Sequence, residues 1–157
     1  MSPERHAIAK LLEKDAVNMG VKGAVDAMFN RDAIKAYQTA EQDFLVEGAN
    51  PHDLVQILFT HFLVSLERAR IALETKDLAA KSEHLTKALT IVHVLSTSLD
   101  FERGGEVAQS LEQIYTWARK KLIEASFQNS IPAIDEVHAS MSEIAEAWNS
   151  ISAAKAA

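Results

Sequence analysis

Six histidines, twenty-two carboxylates and no cysteine bound the metal and proton chemistry open to this chain. A di-metal site in a helical bundle needs two Glu-x-x-His pairs and two further Glu, all pointing inward. The nearest match is one Asp135-x-x-His138, and both residues fall off the apolar seam of their helix. They read as part of a solvated polar face. His61 and His93 fall near the apolar faces of two different helices, where a histidine is more often satisfied by a carbonyl or water than by a metal. Without Cys there is no disulfide framework, thiolate ligand or catalytic thiol. No Gly-x-Ser-x-Gly turn is present to raise a serine nucleophile. Gly104-Gly105 lacks the following Lys and Ser/Thr of a phosphate loop and follows no strand, so it reads as an interhelical turn. Arg119-Lys120-Lys121 is a short basic run on a helix face, outweighed by acids elsewhere. The expectation is a protein that is not an enzyme and carries no cofactor or metal.

The elements that would position any site are helices. The chain has 157 residues, 48% hydrophobic and 24% charged, enough for one domain with a real core. Five Gly and three Pro leave few places to turn, which argues against a sandwich or barrel. A net charge of −6 disfavours a nucleic-acid partner, since phosphate binding requires a basic face. There is no apolar run long enough for membrane insertion and no N-terminal apolar leader, so a cytoplasmic protein is expected.

Apolar residues recur at three and four between the breaks at Gly48–Pro51, Thr75–Asp77, Gly104–Gly105 and Asn129–Pro132. Residues 52–74 carry Val55, Leu58, Phe62, Leu66, Ala69 and Leu73; residues 77–100 carry Leu78, Leu85, Ala88, Leu89, Val92, Leu95 and Leu99. Residues 105–127 carry Val107, Leu111, Ile114, Ala118, Leu122 and Ala125. After Pro132, Ile134, Val137, Met141, Ile144, Trp148 and Ile151 form a heptad-like seam. Two shorter amphipathic stretches, 3–19 and 31–47, precede this set. The pattern predicts an all-α fold, an antiparallel up-down four-helix bundle with one or two extra N-terminal helices. Its divisions are an N-terminal extension at 1–30, the bundle at 31–152 and a frayed tail at 153–157.

One feature exceeds what a single core requires. On a helical wheel Ile57, Val64 and Ile71 fall nearly opposite the stripe centred between Leu58 and Leu66. Ile91 and Val94 fall outside the core stripe of the second long helix, and Ile123 and Phe127 away from that of the third. A helix buried on two sides, cover by the N-terminal helices, self-association as a weak homodimer, or a groove for a partner's helix would each account for the excess.

From Met28 to Ile151 the chain resembles the FliS family of flagellar secretion chaperones. The resemblance is carried by Ala36-Tyr37-Gln38-Thr39-Ala40-Glu41, then Ala49-Asn50-Pro51-His52-Asp53-Leu54-Val55-Gln56-Ile57-Leu58-Phe59, then Arg68-Ala69-Arg70. Lys87-Ala88-Leu89-Thr90-Ile91, Ser98-Leu99-Asp100, Gly104-Gly105-Glu106-Val107-Ala108, Ile114-Tyr115 and Ala147-Trp148 follow in order. Where the family commonly has Tyr-Asp-Gly, this chain has Phe59-Thr60-His61, and residues 1–27 lie outside the resemblance. The resemblance implies a cytoplasmic chaperone that binds the disordered C-terminal segment of flagellin, prevents its premature polymerisation and delivers it to the flagellar type III export apparatus. An adaptor for another export substrate or a regulator is the alternative. The expected partner-binding residues are Ile57, Val64 and Ile71, with Ile91, Val94, Ile123 and Phe127 as a second set. By the same resemblance, Tyr37 and Phe44 are expected in a displaceable N-terminal cap.

Overall fold

The computed structural model describes residues 51–156, with side chains described for 53–150. Four helices follow one another: α1 (Pro51–Glu74), α2 (Leu78–Thr97), α3 (Phe101–Gln128) and α4 (Ile131–Ala156). Every element among the described residues is helical, as the three-four spacing of apolar residues predicts. The expected N-terminal helices and the cap residues Tyr37 and Phe44 lie outside the described residues. The helix continues to Ala156, so the backbone of the expected frayed tail is helical up to that point.

Each connection is short because local chemistry ends one helix and starts the next. Lys76 adopts φ 60° after α1, the Lys76 N–H donates to the Leu73 carbonyl and the Asp77 N–H to the Ala72 carbonyl. That pair of bonds is a Schellman stop. Asp77 at once caps α2 by accepting from the Ala80 N–H at 3.1 Å, the role its position predicts. Asp100 caps α3 by accepting from the Arg103 N–H at 3.0 Å. Asn129 ends α3 with φ 53°, and Ser130 Oγ accepts from the Ala133 N–H at the start of α4.

Here the glycine pair is a correction to the sequence reading. The chain reverses at Ser98–Asp100, and α2 ends at Thr97 rather than at residue 100. Gly105 is a kink inside α3, with φ 49° and ψ −123°, after one helical turn built on Asp100. That backbone region is closed to residues with a Cβ. Glycine signals a tight turn and an interior kink alike, and the capping Asp decides between them.

Cross-helix bonds fix the topology. Gln56 at the start of α1 donates to Asn149 near the end of α4, while Arg70 near the end of α1 pairs with Asp135 in the first turns of α4. Lys81 in the first turn of α2 reaches the end of α3, and Ser96 at the end of α2 reaches Glu112 early in α3. Lys121 pairs with Glu136 between α3 and α4 at 3.2 Å. The helices thus run up-down-up-down in a ring in which α1 packs on α2 and α4, α3 packs on the same two, and α1 and α3 stand diagonally. Between them Phe59, Phe62, Leu66, Leu85, Ile91, Leu95, Tyr115 and Trp148 are the largest fully buried side chains. Interior burial of this kind, about 1.5–3 kcal/mol per large apolar side chain, holds the bundle together.

Candidate protein-binding surface

Residues 53–74 present a polar-apolar stripe on the outer face of α1. Asp53, Gln56, Ile57, Thr60 and His61 line an open depression of about 320 Å³. Ile57 and Val64 are half-buried, Ile57 against the core, and Ile71 is 57% exposed. Arg68 stands between Val64 and Ile71, exposed and outside every ion pair among the described residues. The three apolar residues share one side of α1, as their spacing by sevens requires, but exposure rises along it from Ile57, packed against the core, to Ile71.

A second apolar pair lies on α3. Ile123 is 43% exposed and Phe127 is 85% exposed, one turn apart on the last two turns of the helix. Lys121, on one flank, is held by Glu136 of α4, and Ser126, on the other, meets Lys81 of α2. With both flanks engaged by neighbouring helices, the arc between them carrying Ile123 and Phe127 is left to solvent. Because α1 and α3 are diagonal, this patch and the α1 stripe face away from each other.

Two expected members of the second set do not belong to the surface. Ile91 is fully buried and Val94 is 9% exposed, both in the core cluster. The wheel places them off the stripe of α2, but α2 is flanked by α1 on one side and α3 on the other, and so buries a wider arc than a single stripe. Leu78 errs the other way: assigned to the core by its period, it is 53% exposed. It is the first residue of α2, at the very end of the bundle and three positions before Lys81.

The polar candidates are engaged in structure. Asp135 Oδ1 pairs with Arg70 Nε at 3.0 Å, and His138 Nε2 lies 3.1 Å from Glu67 Oε1, so this motif joins α4 to α1 along the solvated seam. Among the described residues no three His, Asp or Glu side chains converge as a metal cluster. His61 is half-buried beside the α1 depression, and His93 is exposed. Tyr115 is wholly buried, and its hydroxyl has no hydrogen-bond partner among the described residues. Burial, with the neighbouring Glu112 carboxylate adding to it, raises its phenol well above the ordinary tyrosine range.

Spacing alone did not single out Lys81. It is 6% exposed, on the same stripe as Leu85, Ala88 and Val92, with Nζ donating to the Ser126 carbonyl at 2.9 Å and to Asn129 Oδ1 at 2.8 Å. A lysine in register with core residues is the signal that could have found it, since a buried ammonium requires acceptors.

The fold and surface define a helical-bundle scaffold that displays apolar side chains on two opposed faces. Its sequence matches the family model described as flagellar protein FliS over residues 33–155, and the chain belongs to that family. It is 40% identical over 126 residues to the flagellar secretion chaperone FliS of Salmonella typhimurium strain LT2, covering 80% of this chain and 93% of that protein. The flagellar secretion chaperone FliSB of Pseudomonas aeruginosa is 37% identical over 125 residues, 80% of this chain and 99% of the relative. The FliS chaperone of Escherichia coli K12 is 32% identical over 122 residues, 77% of this chain and 90% of the relative.

Proposed function

We propose that this protein is a cytoplasmic flagellar export chaperone that binds the C-terminal segment of flagellin, keeps it from polymerising and hands it to the flagellar type III export apparatus. The observation that carries the reading is the display of large apolar side chains, Ile71, Ile123 and Phe127, on a bundle whose core is already closed. A soluble domain that leaves a phenylalanine 85% exposed beside an isoleucine one turn away has apolar surface to give to a partner. A segment that is disordered when free and helical when assembled is suited to such a surface. Its own apolar face can lie along a rigid helix, and that masks the residues that drive assembly. Ordering the segment costs free energy, so affinity comes from a long contact rather than from one strong site. Transfer of each exposed Ile or Phe into apolar contact contributes about 1.5–3 kcal/mol against that cost. Release requires no covalent step.

On this reading Ile57, Val64 and Ile71 contact one part of the partner, and Ile123 and Phe127 another. The stretch holding Tyr37 and Phe44 covers the α1 stripe when no partner is bound. The test is calorimetry of the full chain with a peptide spanning the C-terminal segment of the cognate flagellin. One-to-one binding with a negative heat-capacity change is the expected result. A folded, helical protein that leaves the peptide unbound assigns the surface to another export substrate or a regulator.

A further inference from the structure

We infer that Lys81 is a positioning residue: by bridging the Ser126 carbonyl and the Asn129 side chain it locks the last turn of α3 and so holds Phe127 outward for the partner. This rests on the chaperone reading above. Phe127 lies within the four-residue segment whose two ends Lys81 binds, through Ser126 Oxygen of the backbone at 2.9 Å and Asn129 Oδ1 at 2.8 Å. The lysine is 6% exposed and forms no ion pair among the described residues, where its ammonium meets two neutral oxygens. A stem and ammonium buried this deeply are worth keeping only where the acceptors are fixed. One acceptor is among the last carbonyls of α3, which have no partner within the helix and lie at the negative end of its dipole. The other belongs to the residue at φ 53° that turns the chain into α4.

Without that bridge the end of α3 keeps only its backbone stop, the Asn129 and Ser130 N–H groups on the Ala125 carbonyl, and its last turn frays more readily. An exposed Phe on a frayed turn has no fixed position to offer a partner. A partner helix would then have to reorder the turn as it binds, at a cost in affinity. With the bridge, Phe127 at 85% exposure is presented in advance.

The experiment measures peptide affinity of the full chain as wild type, Lys81→Met, Asn129→Gly, Phe127→Ala and Lys81→Met/Phe127→Ala, with amide hydrogen exchange on each. Glycine accepts the left-handed turn, so Asn129→Gly removes one acceptor without straining the backbone. Expected are an about tenfold loss for Phe127→Ala and a comparable loss for Lys81→Met, with the double variant no weaker than the worse single one. Asn129→Gly weakens binding in the same direction by a smaller factor. Exchange quickens at residues 125–130 in Lys81→Met and Asn129→Gly and is unchanged in α1. A merely structural lysine predicts a double variant that loses the product of the two factors, and that result overturns the proposal. So does Lys81→Met or Asn129→Gly binding as tightly as wild type while wild type binds the peptide. If the wild type itself does not bind, the chaperone reading fails and takes this inference with it.

Discussion

Two aromatic residues of α3, twelve positions apart, show how a side chain's fate follows from its angle on the helix. Tyr115 points into the ring of helices and is fully buried; Phe127 points away from it and is 85% exposed. Tyr115 carries a hydroxyl into the core with no partner among the described residues. Tyr115→Phe is therefore expected to stabilise the fold by about 1 kcal/mol, measured by urea unfolding. The raised phenol pKa has a definite sign. Above about pH 10 the unfolded chain loses this proton while the folded chain keeps it, so stability falls as pH rises through that point. Unfolding midpoints of wild type and Tyr115→Phe should draw further apart above that pH, the phenylalanine variant losing less. On α1, Val64→Glu and Ile71→Glu place charge on an accessible face, where helicity by circular dichroism is expected to hold. Peptide affinity should fall about tenfold for each, and retention of full affinity would remove the α1 stripe from the binding surface.

Elements are set by capping and backbone conformation more than by their apolar content. Asp100 and Gly105 together shape the start of α3: the aspartate nucleates a turn, and the glycine at φ 49° lets the helix resume on a new line. Space is not the constraint at Gly105, since a Cβ there would meet nothing within 4 Å. Gly105→Ala is accordingly expected to destabilise by about 1–2 kcal/mol through backbone strain alone. Asp100→Ala should cost about 1 kcal/mol through loss of the cap. Both are read in thermal or urea unfolding. The Asp77 cap could be seen in the sequence because Asp precedes an apolar-periodic run. The kink could not, because Gly104-Gly105 carries the same signal as a reversal.

At the scale of the whole molecule, the diagonal placement of α1 and α3 makes the two apolar patches independent surfaces. Ile71→Glu combined with Phe127→Ala should weaken peptide binding by the product of the single effects, since the sites share no contact. A product that fails by more than threefold would indicate one continuous site. Removing residues 1–47, which takes away Tyr37 and Phe44, is expected to tighten binding if that stretch competes for the α1 stripe, and equal affinity in the shortened chain would count against a cap. The sequence by itself determined the helical class, the order and approximate ends of the four helices, the Asp77 cap and the family. Each of these depends on spacing within a single helix or on the residues at its ends, and a linear pattern records both. Only the tertiary structure decided that Ile91 and Val94 are core, that Leu78 is surface, and that Lys81 finds Asn129 across 48 residues of chain. A helix buries whatever arc its neighbours cover, and which neighbours flank it, at what height, is a property of the ring and not of any one helix.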